Sequence, residues 1–149
     1  MALYDTVTQP KKASELDKLD HLHRRATIRL FSCSALFPFD LFPDSLVIDH
    51  NKVDIVYRNF FGHNHTVSLP IERLNYVGVN SVLFLSTLRF ETKGLEQNPE
   101  PLTMLPTHAA QYAKNLIFGL MAAEKNGIDL SHLSRDDILD KLVEIGRVE

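Results

Sequence analysis

A chain of 149 residues with 44% hydrophobic and 23% charged residues has the composition of one ordinary globular domain with room for a single core. Its formal charge of -3 removes the broad attraction to phosphate behind non-specific nucleic-acid binding, so nucleic acid is not an expected partner. The lone Cys33 closes no internal disulfide, the first twenty residues lack the apolar core of a secretory signal, and the longest uncharged apolar run, 30–39, is about half of what a spanning helix needs.

Residues 1–12 have no periodicity and read as a tail. Over 13–25, Ser14 begins a cap-like S-x-x-D pattern with Asp17, and Leu16, Leu19 and Leu22 recur on one face of a short helix. Acids lead, and His21, His23, Arg24 and Arg25 trail. That order suits the helix dipole better than it makes a phosphate site. From Ala26 the pattern changes to alternation, a strand running into the loop FPFDLFP at 37–43. SLVID and KVDIVYRNFF follow as two alternating runs joined at His50 and Asn51, a tight hairpin; Gly62, His63 and Asn64 mark the next turn. HTVSLPI, LNYVGVN and VLFLSTLRFET are three further strands, KGLEQNPEP an exposed loop, and PLTML a last strand, seven in all.

Pro106 and Thr107 open the most strongly patterned helix, with Ala109, Ala113, Leu116, Ile117, Leu120 and Met121 on one face and Gly127 as its stop. Residues 131–149 hold a second helix: Ser134 caps, Asp137 takes the capping-box position, Ile138, Leu142 and Ile145 line a face, and Gly146 ends it. This narrow face is expected to fold back on the domain.

Three stretches, LFPDSLVIDHNKVDIVYRNFFG, VSLPIERLNYVGV and THAAQYAKNLIFGLMAAEKNGIDL, resemble the bacterial pleckstrin-homology-like domain family over roughly 26–130, and in particular short bacterial proteins that pair an FPFDLFPD-type loop with this domain. The resemblance implies an α+β, mainly β fold: a bent antiparallel sheet or barrel of about seven strands, capped by a C-terminal amphipathic helix, here with short extra helices at both ends. It also implies a non-enzymatic module that binds protein, self-associates or sits beside a membrane. Specific phosphoinositide binding is not expected, because the hairpin offers Lys52 and Arg58 against Asp44, Asp49 and Asp54, and phosphate needs convergent positive charge.

No cofactor is expected. His63 and His65 alternate onto one side of a strand, but no Cys or carboxylate stands at a ligand spacing beside them. Ser32, Cys33, Asp40 and His108 form no nucleophile motif, so an enzyme, whether hydrolase or metal-dependent, ranks last. FPFDLFP reads first as a plug of the domain's own core, since three exposed phenylalanines would forgo several times the roughly 1.5–3 kcal/mol that burial of each contributes. A protein-docking knob and a membrane contact that uses Arg24 and Arg25 are the alternatives, and Asp40 opposes deep insertion. The expectation is therefore a cytoplasmic, at most membrane-peripheral, binding module. Its candidate contact residues are Phe39 and Phe42 in the loop, Phe60 and Phe61 at the hairpin tip, and His63 and His65 beside them.

Overall fold

The structure, a computed structural model, describes residues 13–20, 22–23 and 29–148. The tail, His21, Arg24, Arg25 and the start of the strand at Ala26 lie outside the described residues. Residues 13–20 and 22–23 are helical (α1), so Ser14 sits inside this helix rather than ahead of it.

Seven strands follow: β1 (Arg29–Ser34), β2 (Ser45–Asp49), β3 (Lys52–Arg58), β4 (Asn64–Pro70), β5 (Leu74–Val82), β6 (Leu85–Thr92) and β7 (Leu102–Pro106). They do not form one bent sheet or a closed barrel. They divide into a four-stranded antiparallel sheet, β1-β2-β3-β4, and a three-stranded one, β5-β6-β7. Between the two sheets, Pro70 ends β4 and the chain makes a single 3-10 turn, Ile71–Arg73, before β5. Proline brings no N–H to a ladder, and the turn redirects the backbone, so hydrogen bonding stops there. The fold is α+β.

Alternation along the strands supplies the core. Leu46 and Ile48 of β2 and Val53 and Ile55 of β3 point inward from the first sheet, while Val77, Leu88, Phe90, Leu102 and Leu105 do so from the second. Helix α2 (Thr107–Lys125) closes over them with Ala110, Ala113, Leu116, Ile117, Leu120 and Ala123 buried. Ala109 and Met121, expected on the same face, are half-buried at its margins. A left-handed Gly127 at φ 65° ends α2: its N–H bonds to the Glu124 carbonyl, and the Ile128 N–H to that of Ala123, the double return of a Schellman cap.

Helix α3 (Arg135–Val148) starts as its capping pattern predicts, with the Asp137 N–H donating to Ser134 Oγ at 3.2 Å and the Ser134 hydroxyl donating to the Asp137 carboxylate at 2.6 Å. The face buried is Ile138, Leu142 and Val143, with Ile145 exposed, and it lies against α2. Gly146 does not end the helix. A Cβ there would run into the Asn115 carbonyl, and one on Gly119 into the Leu142 carbonyl, so the two glycines make a reciprocal close crossing. At its start, Arg135 donates from Nε to the Arg29 carbonyl (3.1 Å) and from Nη2 to that of Leu30 (2.8 Å), occupying the outer edge of β1.

Candidate docking surface

Three connections meet at one end of the molecule: the loop 35–44 after β1, the β3–β4 tip at 59–63, and the β5–β6 tip at 83–84. Backbone bonds fix all three. Leu36 N–H donates to the Met104 carbonyl and Ala35 N–H to that of Asp44, both at 2.9 Å. Asp40 folds the loop on itself, its Oδ1 accepting the Phe42 N–H at 3.0 Å, and Asp44 Oδ1 accepts the Arg58 N–H at 2.7 Å. Beneath the third tip, the hydroxyls of Ser81, Ser86 and Thr107 form a chain of 2.8 and 2.9 Å contacts, and the Thr107 N–H donates to the Phe84 carbonyl.

On this frame stands a row of apolar side chains in solvent. Phe37 is 71% exposed, Phe39 54%, Phe61 83% and Leu83 88%; Leu41, Phe60, Val82 and Phe84 are exposed as well. The reading of FPFDLFP as a core plug is therefore overturned. The domain fills its interior from the strands and α2, leaving rings of the loop to meet those of the two tips edge-on: Phe39 with Phe84 at 5.7 Å and Phe42 with Phe60 at 5.2 Å, with Phe60 against Phe61 at 5.4 Å between centroids. The result is a ridge across three connections, with a groove of about 410 Å³ lined by Phe39, Val82, Leu83, Phe84 and Met104 at one end. The candidate residues thus fall together: Phe39, Phe60 and Phe61 stand exposed, Phe42 is half-buried between them, and His63 and His65 are exposed on the β3–β4 hairpin, His65 stacked on Tyr57.

Phe37, Leu41, Val82, Leu83 and Phe84 belong to the ridge and were missed. VLFLSTLRFET reads as one strand, yet β5 runs through Val82 and the chain reverses at Leu83–Phe84 with no turn-forming residue. Leu83 and Met104 adopt φ of 56° and 59°, the two left-handed non-glycine residues among those described. Bulky side chains resist that region by roughly 1–2 kcal/mol each, and both outliers sit on the ridge's groove.

Carboxylates flank the ridge. Desolvation raises the Asp44 carboxyl above its ordinary value, Asp40 and Glu100 add to the rise, and the Arg58 N–H and charge oppose it. Burial, with the same Glu100 and Asp44 nearby, pushes the Tyr57 hydroxyl up to about 12, and that hydroxyl donates to the Glu100 carbonyl at 2.7 Å. Asp40, Asp44 and Glu100 thus stand within electrostatic reach of one another here, with Arg58 as the charge that opposes them at Asp44.

Other sites offer less. A groove of about 650 Å³ between β5 and α2 has an apolar floor of Leu74, Phe118 and Met121, but its rim pairs Lys93 and Lys125 with Glu72 and Glu124 and converges no charge. Buried Asp49 and its neighbour His50 serve the β2–β3 turn: Asp49 Oδ1 accepts the Asn51 N–H at 3.0 Å and lies 3.3 Å from His50 Nδ1. Among the described residues no three His, Cys, Asp or Glu side chains are arranged to hold a metal ion, and no helix is long and apolar enough to cross a membrane. Burial pushes the Cys33 thiol up to about 11. Only the thiolate reacts, so alkylation at pH 8 is expected about a hundredfold slower in the native protein than in the unfolded chain. A rate equal in both states, followed by mass spectrometry, contradicts that burial.

The chain matches no protein-family model and no curated protein.

Proposed function

We propose that this chain is a non-catalytic pleckstrin-homology-like docking module whose contact surface is the aromatic ridge. The order of seven strands followed by an amphipathic helix, with the sheets antiparallel, supports the family reading. The observation that carries the function is the row of exposed rings held on rigid hairpins. A contiguous apolar patch on an otherwise charged surface is the common mark of a protein interface, and rigid aromatic anchors are its usual energetic centre. The surrounding carboxylates favour a protein partner over an anionic bilayer, which they repel. A peripheral membrane adaptor, the second reading, predicts flotation with anionic vesicles that falls with added salt.

Photocrosslinking tests the docking reading in living cells that produce the full chain with a benzoylphenylalanine at Phe84. The expected result is a discrete crosslinked protein, lost when Phe39→Ser is added. Absence of any Phe39-dependent crosslink would overturn the reading.

A further inference from the structure

Among the asparagines of the chain, Asn126 alone is followed by glycine. The pair caps the C-terminal end of α2, and both residues are exposed. An Asn-Gly pair carries its own reaction: the glycine nitrogen lies one five-membered ring away from the asparagine side-chain amide, and no Cβ on the glycine obstructs its approach. Space around Gly127 is open, since a Cβ built there would meet nothing within 4 Å, so solvent and base reach the bond.

We infer that Asn126 is a self-modification site gated by the α2 cap: the folded cap holds the amide and its nucleophile apart, and each opening of the α2 terminus exposes the pair to irreversible deamidation. In that reaction a base takes the Gly127 N–H proton and the nitrogen attacks Asn126 Cγ. The new C–N bond closes a succinimide ring, and the Cγ–Nδ2 bond breaks as its nitrogen leaves, protonated, as ammonia. Water then opens the ring at one of its two carbonyls, leaving aspartate or isoaspartate. Nothing is oxidised or reduced, and water is the sole co-reactant.

Two hydrogen bonds make the gate. Asn126 Nδ2 donates to the Ala122 carbonyl at 2.7 Å, which draws the side-chain amide back over the preceding turn of α2. Gly127 leads the chain away from that turn, with its own N–H donated to the Glu124 carbonyl at 3.1 Å and its φ of 65° set by the Schellman cap. Ring closure requires the amide to leave Ala122 and the nitrogen to leave Glu124, so the reaction waits on local opening. Helix ends open at far lower cost than the whole domain.

The product does not rebuild the gate. Aspartate has no N–H for the Ala122 carbonyl, and it adds a charge near Glu124 at the negative end of the helix dipole. Isoaspartate routes the backbone through the side-chain carbon and lengthens it by one atom. That displaces the returns of the Gly127 and Ile128 N–H groups to the carbonyls of Glu124 and Ala123. Because this cap fixes the exit of the chain from α2 toward α3, modification makes permanent the opening that allowed it.

Peptide mapping by mass spectrometry tests this on the purified full chain, aged in mildly alkaline buffer with and without guanidinium chloride. In denaturant, Asn126 is expected to convert before any other asparagine. In native buffer its conversion is expected to be about 30-fold slower, the combined weight of the two hydrogen bonds. A different asparagine converting first in denaturant, or Asn126 converting equally fast in both conditions, would overturn the inference. Ion exchange then separates the modified native chains by their added charge. Hydrogen exchange at the Gly127 and Ile128 amides is expected to be about tenfold faster in them, the weight of one lost cap bond, and unchanged exchange at both would contradict the permanent opening.

Discussion

Gly146→Ala is expected to destabilise the protein by about 2 kcal/mol, the scale of an overpacked contact, although helix propensity alone predicts a gain of nearly 1 kcal/mol. The sign is what makes the measurement useful. Gly146 lies inside α3, where alanine normally stabilises, but a Cβ there meets the backbone of Asn115 in α2, which no rotamer change can move aside. The helices must separate, and Ile138, Leu142 and Val143 then lose contact with α2. Gly119→Ala, which strikes the Leu142 backbone four residues away on the same crossing, is expected to behave alike. Because each substitution already parts the helices, the double variant is expected to cost less than the sum of the two. Urea midpoints for the three variants check this, and a stabilised Gly146→Ala would mean that the crossing is looser than described.

Phe90→Ala is expected to cost about 3–5 kcal/mol, as removal of a well-packed aromatic does. Phe90 is among the largest fully buried side chains; it points inward from β6 into the cluster that includes Val77, Leu88 and Leu116. Its neighbours are held by two sheets and α2, so little of the resulting cavity can collapse. A loss near 1 kcal/mol would place the ring at the margin of the core instead. Thermal unfolding followed by circular dichroism reads the difference directly.

Much of this fold is legible in the chain. Alternation located the strands, Asn51 marked the β2–β3 turn, Ser134 and Asp137 announced the start of α3, and Gly127 announced the end of α2. Three features escaped for separate physical reasons. The Leu83–Phe84 reversal has no glycine, asparagine or proline, since a leucine bears the left-handed geometry that such a residue would ordinarily signal. Gly146 looks like a stop because close helix crossing and helix termination ask for the same missing side chain, and only the opposing Asn115 tells them apart. FPFDLFP misleads because the rule that apolar residues go inside runs one way: a core already filled by Leu46, Ile55, Phe90 and Leu116 leaves further rings outside. The candidate residues Phe39, Phe42, Phe60 and Phe61 were readable as a group only once the loop and the hairpin tip proved to share one end of the molecule.

The central claim, that the aromatic ridge is surface and not core, is tested most directly by the urea midpoint of Phe39→Ser beside wild type, at dilute protein concentration and with the same slope in denaturant. A change within about 0.5 kcal/mol, typical of a surface substitution, is the predicted result. A loss of about 3–5 kcal/mol would return FPFDLFP to the core and contradict the docking surface.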